Sequence, residues 1–507
     1  MSGDVQRYFV TTTIPYVNAR PHLGFALELV QADVLARHRR ARGVEVRFLS
    51  GTDENSLKNV LAAEAEGVAV ADLVDRNAAA FEQLRGPLAL SFDDFIRTSR
   101  DPRHRVGVAE LWRRCAEAGD FYRQAYTGLY CVGCESFYTE DELVGEGVCP
   151  EHLTRPQTVT EENWFFRLSR YQRQLEEAIS GGRLRIEPES RRNEVLALVR
   201  GGLRDFSVSR SVARARGWGI PVPGDPEQVV YVWWDALGNY VSSLGFGSGD
   251  PEFARWWEQS RERVHLVGKG VLRFHAVYWP AMLLSAGLPL PTRVLVHDYL
   301  TVDGRKISKS LGGAAADPAE LVRRYGTDAV RWWLLREVPR VGDADFTEER
   351  LIARADADLA GGFGNLVHRV VTMVHRYRGG VVPEAARVTT ATAELGAVCA
   401  RASGRVDAAL DRFDYRGAVA AVWTLVEEAN RCIDRTRPWE LAKAGRDGEL
   451  DAALAALVRA CRELVKELAP FLPGAAARLA ELLAADPATG RLPVSRPPFT
   501  RLGPDKS

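Results

Sequence analysis

NARPHLGFALELVQADVLARHRRARG, residues 18 to 43, joins a glycine-bearing turn to a long amphipathic run. Pro21 biases Arg20 toward extended backbone, and Gly24 removes a side chain where a nucleotide could approach. From Phe25 onward the spacing of Leu27, Val30, Val34 and Leu35 predicts a helix with one apolar face, with Gly43 as its stop. Upstream, RYFVTTTIPY (residues 7 to 16) is rich in β-branched and aromatic residues and predicts a strand. Downstream, VEVRFLSGTD (residues 44 to 53) turns Val44, Val46 and Phe48 to one side, a second strand. Strand, helix, strand is the βαβ unit of a parallel sheet, and ligands of such sheets sit at the carboxyl ends of the strands. Pro21 to Gly24 and Asp53 fall at that edge, where the first amides of the helix would face an anion.

The 507 residues are too many for one core and predict two to four domains. Hydrophobic content of 46% with 26% charged residues describes a soluble globular chain. The opening MSGDVQRYFVTTTIPY lacks the sections of a secretory signal, and no apolar stretch is long enough to span a bilayer. A cytoplasmic protein with no membrane partner is expected. The 67 basic and 67 acidic side chains cancel, so binding of a polyanion would need a local basic face.

Seven cysteines, three of them clustered, predict a metal site plus buried thiols and not a disulfide framework. Cys131-X-X-Cys134, fourteen intervening residues, then Cys149-X-X-His152 gives two tight ligand pairs. Four protein ligands leave no open position, so the expected ion is one structural Zn²⁺ per chain. Cys115, Cys399, Cys432 and Cys461 lie in helical text and read as small buried hydrophobes.

A second phosphate-type signal comes late. VDGRKISKSLG (residues 302 to 312) carries Lys306, Ser308, Lys309 and Ser310 on a glycine-flanked loop after the strand-like TRVLVHDYLTV. Two lysines three apart can neutralise one polyphosphate, although the loop taken alone would better suit a solvated basic turn. Between the two signals, EQVVYVWWDALGNYV and RVHLVGKGVLRFHAVYWPAMLLSAG read as returning apolar strands. From residue 347 Ala, Leu and Arg recur with helical period, and SRPPFTRLGPDKS (residues 495 to 507) reads as a loose tail.

The His-X-Gly element and Lys-X-Ser-Lys-Ser together resemble the two signatures of class I aminoacyl-tRNA synthetases. TTTIPYVNARPHLGF, FLSGTDEN, GLYCVGCESFYTEDEL, EENWFFRLSRY, NEVLALVRGGLRDFSVSR, RGWGIPVP, VYVWWDALGNYV, GKGVLRFHAVYWPAML and DGRKISKSLG narrow the resemblance to the methionyl-tRNA synthetase family, from Tyr8 to Leu482. It implies an α/β fold, a Rossmann-type parallel-sheet catalytic domain in two halves (1–118 and 226–300) around a zinc-knuckle insertion (119–225). A Lys-Ile-Ser-Lys-Ser loop and stem-contact region (301–346) and an all-α anticodon-binding domain (347–507) would follow. The implied chemistry joins L-methionine to ATP, carried with Mg²⁺, as methionyl-adenylate, then moves the acyl group to the terminal ribose of methionine tRNA. No covalent enzyme intermediate is needed, so catalysis is positioning plus charge stabilisation.

By the same resemblance His22, Lys306 and Lys309 are the catalytic residues, and Gly24, Phe25 and Ser308 complete the ATP contacts. Ile14, Tyr16, Asp53, Trp233, Tyr240, Val271 and His275 fall on the methionine pocket, where an apolar aromatic wall suits a thioether. Asn365 and Arg369, four apart on one helix face, and Trp439 fall on positions that read the anticodon by stacking and hydrogen bonds. The knuckle resembles the single-zinc forms, with His152 as fourth ligand. Nothing resembles the extra dimerisation domain of longer members, so a monomer is expected.

Three departures lie in the nucleotide region. The signature normally ends in a second histidine where this chain has Phe25. The stretch after Asp53 normally reads Glu-His-Gly and here reads Glu54, Asn55, Ser56, and a Gly-Lys-Asp triplet near the ribose appears as Gly268, Lys269, Gly270. Loss of one transition-state donor costs on the order of 10²–10³ in rate. Either the pocket is re-wired, with Asn55 or nearby lysines supplying donors, or adenylation is slow or altered; the intact zinc and anticodon residues favour a re-wired active enzyme. Alternatives are a paralogue activating methionine or a related amino acid for a non-tRNA acceptor, and a non-catalytic tRNA-binding protein.

Overall fold

The structure, a computed structural model, describes residues 6–151, 153–302, 304–306, 317–384 and 387–503, and of 136, 305 and 306 the backbone alone. His152, Ser308 and Lys309 therefore lie outside the described residues. The chain forms two compact units. One comprises Met1–Pro21, Arg39–Arg85 and Ser91–Tyr299, the other His22–His38, Gly86–Leu90 and Leu300–Ser507.

The first unit is built on strands β1 (Arg7–Thr12), β2 (Glu45–Thr52) and β3 (Asp94–Arg97). A long hairpin-like pair, β4 (Phe121–Cys131) and β5 (Gln157–Phe166), is antiparallel and carries the knuckle between its strands. β6 (Arg185–Glu187), β7 (Glu262–Gly268) and β8 (Arg293–His297) follow. Six strands form one parallel sheet in the order β3-β2-β1-β7-β8-β6. Tyr8, Phe9 and Val10 of β1 are all buried, as a central parallel strand covered on both faces requires. Phe9, Leu49, Trp112, Trp234, Trp257, Val267 and Trp279 share the main core. Thr12, Thr52, Gly268 and His297, the last residues of β1, β2, β7 and β8, mark the carboxyl edge.

Two stretches read as strands are largely helical. After the strand Asp225–Val230, the chain turns helical over Val232–Ser242, and after Gly268 it coils through short helical turns into Trp279–Ser285. Trp234, Leu237, Val241 and Tyr240 are buried at helical spacing, and in so apolar a run the period-2 pattern of Val230 and Val232 could not be told from it.

The helix α1 (Leu23–Ala41), which joins β1 to β2 in the chain, belongs to the second unit through residue 38. It is not one-faced. Glu28, Gln31 and Asp33 are buried together with its leucines and valines. Asp33 is neutralised by Arg331 at 2.8 Å, both side chains fully buried. Arg331, on helix Thr327–Arg336, also donates to the carbonyls of Leu88 (2.9 Å) and Phe471 (2.8 Å). Strands Leu300–Val302, Arg305–Lys306 and Ala344–Phe346 form a small sheet, and from Glu348 to Leu483 the described residues are mainly helical, as expected. The carboxyl segment is not a loose tail. Leu492 is buried and its N–H donates to Gly380, Ser495 meets His368 at 2.9 Å, and the amides of Leu502 and Gly503 donate to the Asp356 carboxylate. Among the described residues no helix is long and apolar enough to cross a membrane.

Candidate functional site

At the start of α1 the exposed His22 ring folds back over its own turn. Its Nδ1 accepts from the Gly24 amide at 3.1 Å, so the neutral ring carries its proton on Nε2 and presents a donor. A Cβ at Gly24 would lie 3.0 Å from that ring, which explains the glycine by close approach and not by φ. Phe25 follows, 6% exposed, with its N–H on the His22 carbonyl at 3.0 Å. Lys306 is the last residue of its short strand.

The methionine-pocket candidates of the first unit converge. Tyr16 and Asp53 form a parallel bridge, and the Asp53 amide donates to Pro15 at 2.9 Å. Ile14 lies against Gly51, whose bare α-carbon admits it. Trp233 stacks on Phe274 (centroids 3.7 Å apart, 4° between planes) and meets Tyr16 edge-on at 6.2 Å. Deeper in, His275 Nδ1 lies 2.9 Å from the Val271 carbonyl and its Nε2 lies 2.7 Å from the Tyr240 hydroxyl. The carbonyl can only accept, so Nδ1 bears the proton and Nε2 accepts from the phenol.

Asp53 is the buried acid of this pocket. It is 2% exposed, and its Oδ1 has no hydrogen-bond partner among the described residues. Burial, then the neighbouring Asp235 and Glu135, holds its carboxyl well above the usual carboxylate range. A buried carboxylate short of partners is stabilised in its charged form by a cation placed beside it.

Sequence reasoning missed the residues that hold this wall. Phe274 carries Trp233, and His265 packs on Tyr240 at 4.1 Å. The Trp279 indole donates to His265 Nε2 at 3.1 Å, and burial holds that imidazole well below its ordinary pKa, so it stays neutral. Asn55 donates to Asp235 at 2.7 Å, and Asp235 is also gripped by His104. The Asn55 amide is therefore held by a buried carboxylate at this edge of the pocket.

Cys131, Cys134 and Cys149 bring their sulfurs within 4.8 Å of one another. Cys134 and Cys149 approach to 3.3 Å, with the Tyr138 hydroxyl 2.9 Å from Cys134. Three thiols so close, without a disulfide, suit one soft divalent cation. Among the other cysteines, Cys115, Cys432 and Cys461 are buried and Cys399 is half-buried, all on helices.

In the second unit Asn365 is exposed at the start of helix Asn365–Arg378, and Arg369 follows one turn on. The Arg369 guanidinium lies 5.8 Å over the Trp439 ring, which is 42% exposed on helix Pro438–Lys443. An exposed tryptophan with an arginine across its face offers a flat platform beside a hydrogen-bonding amide.

Residues 8–159 and 151–371 match the family model described as tRNA synthetases class I (M). The chain is 40% identical over 470 residues to a methionine–tRNA ligase of Thermotoga maritima, covering 92% of this chain and 73% of that one. It is 41% identical over 489 residues to one of Mycobacterium leprae, covering 94% and 89%. The methionyl-tRNA synthetase of Mycobacterium tuberculosis bound by methionyl-adenylate superposes with a TM-score of 0.92 at 38% identity, covering 98% of this chain and 100% of that one. The chain belongs to the methionine branch of the class I tRNA synthetases.

Proposed function

We propose that this chain is a methionine–tRNA ligase that activates L-methionine with ATP and charges methionine tRNA. The observation that carries the reading is the buried, under-partnered Asp53 carboxylate at the mouth of an aromatic wall of Tyr16, Trp233 and Phe274. Asp53 binds the substrate ammonium, and the wall receives the thioether. In the first step a methionine carboxylate oxygen attacks the α-phosphorus of ATP and the bond to pyrophosphate breaks. In the second a hydroxyl of the terminal ribose attacks the adenylate carbonyl and AMP leaves. His22, with Nε2–H as donor, and Lys306 and Lys309 stabilise the phosphate charge, with Gly24, Phe25 and Ser308 shaping the turn and loop. Mg²⁺ arrives with ATP and neutralises its phosphates.

Cys131, Cys134, Cys149 and His152 would hold a structural Zn²⁺, which supplies rigidity to the knuckle and no open coordination position. Asn365, Arg369 and Trp439 read the anticodon, so 347–507 serves as the tRNA-reading part. A non-tRNA acceptor would leave that platform without purpose. Methionine-dependent pyrophosphate exchange together with acid-stable methionine charging of tRNA is the test. Exchange without charging would select the non-tRNA acceptor, and neither would select a tRNA-binding protein.

A further inference from the structure

Gly270 stands at the carboxyl edge of the sheet, two residues beyond β7, where the family pattern has a carboxylate. A Cβ on Gly270 would collide with the Tyr299 hydroxyl, so a side chain there requires the phenol to move away. That hydroxyl donates to Glu151 Oε2 at 3.1 Å, and the same oxygen lies 3.8 Å from the Cβ position. A carboxylate therefore does reach this edge, from the knuckle and not from the end of β7.

The pair is built. The Lys269 ammonium lies 4.4 Å over the Tyr299 ring and 3.9 Å from Asp298, a buried carboxylate that Arg191 also grips. The phenol is thus fixed by a cation on its face, with its hydroxyl aimed at Glu151. Gly268 and His297, the last residues of β7 and β8, pair with each other, and Lys269 and Tyr299 follow one and two residues on, at the strand ends where parallel sheets bind nucleotides.

Resting on the methionine–tRNA ligase reading, we propose that Glu151, oriented by Tyr299, is a ribose-binding residue of this chain. It accepts hydrogen bonds from the nucleotide's ribose hydroxyls in place of a carboxylate at 270. The knuckle thereby contributes a side chain to the nucleotide site as well as ligands to its metal. Glycine at 270 and tyrosine at 299 are one arrangement, since the ring takes the space the glycine vacates.

The test compares ATP with 2′-deoxy-ATP in methionine-dependent pyrophosphate exchange on the full zinc-loaded chain. The native chain should favour ATP, and Glu151→Gln should raise the KM for ATP about tenfold and bring the ATP-over-deoxy preference near one, because the lost bond is to a ribose hydroxyl. The KM for methionine should stay unchanged, and so should bound zinc by metal analysis. Tyr299→Phe should lower the preference by a smaller factor, and it decides the matter on the same ratio if the Glu151→Gln variant loses zinc. Gly270→Asp should damage activation alone and restore the preference when combined with Tyr299→Ala and Glu151→Gln. An ATP-over-deoxy ratio unmoved in both Glu151→Gln and Tyr299→Phe overturns the proposal. A native chain with no methionine-dependent exchange overturns the ligase reading instead, and the preference is then read by calorimetric binding of ATP and 2′-deoxy-ATP.

Discussion

The Trp233 indole N–H donates to the backbone carbonyl of Cys134 at 3.2 Å, so the aromatic wall hangs from the cysteine knuckle. The next residue strengthens the link. The Glu135 carbonyl accepts from the Tyr231 hydroxyl at 2.5 Å, and its carboxylate takes the Ser56 hydroxyl and the Lys58 amide at the start of helix Leu57–Glu66. Stripping the metal with a chelator should therefore weaken methionine binding by about tenfold, or about 1.4 kcal/mol, and change tryptophan fluorescence in parallel. Metal analysis should find one zinc per chain, lost in Cys131→Ser with Cys149→Ser. Unchanged methionine affinity in the stripped chain would show that the knuckle does not support the wall.

Asp53 sets a stability-function trade. Its folded pKa is raised, so the folded chain keeps a proton that the unfolded chain sheds above the ordinary carboxylate value. Its contribution to stability is thus lost as pH rises from that value through the raised one. Asp53→Asn should raise the Tm at neutral pH, with the gain shrinking toward pH ~4. Methionine binding should fall by about 2–5 kcal/mol, as when one partner of a buried charge pair is removed. Calorimetric melts across pH and methionine titrations check both signs.

Trp439→Ala should weaken tRNA charging by about 1–3 kcal/mol, the loss of a base-stacking platform, while pyrophosphate exchange stays intact. Equal damage to exchange would mean that the ring supports the fold.

Phe25→His should leave activation unchanged or slower. The ring is 6% exposed, and an imidazole there would bury a polar nitrogen in a place shaped for an aromatic hydrocarbon. Lys309→Ala should cut the rate by about two orders of magnitude or more, like loss of an oxyanion donor. A tenfold gain from Phe25→His in pre-steady-state pyrophosphate release would sink the idea of a re-wired pocket.

Arg331→Met should destabilise the chain by about 1–3 kcal/mol, because the carbonyls of Leu88 and Phe471 lose a donor while Asp33 keeps Arg37 at 2.8 Å as its remaining cation. Adding Asp33→Leu should recover little of the loss. Denaturant unfolding of the single and double variants measures the coupling.

Local patterns were the legible part of this protein. The spacing of Cys131, Cys134 and Cys149 predicted their meeting, because a knuckle is a short-range object. Strand, helix, strand over residues 7 to 52 was readable because its periods differ. The helix over Val232–Ser242 was hidden because residues such as Trp233 and Trp234 suit either period. Long-range pairs left no mark. Nothing near Trp233 announces Cys134, 99 residues away, and nothing near Gly270 announces the Tyr299 hydroxyl. The burial of the polar residues of α1 left no mark either, because Arg331, which neutralises Asp33, lies nearly 300 positions later.

The seated carboxyl segment has a consequence for sequence variation. A Cβ on Gly364 would lie 2.7 Å from the Phe499 ring and 3.2 Å from Pro498, so the helix start bearing Asn365 and the far end of the chain are fitted as plug and socket. A side chain at 364 would have to displace the Phe499 ring and also clear the Leu359 carbonyl, 3.1 Å away. Gly364→Ala should therefore unseat the carboxyl segment and disturb the helix start together, whereas a smaller residue at 499 would relieve only part of the crowding.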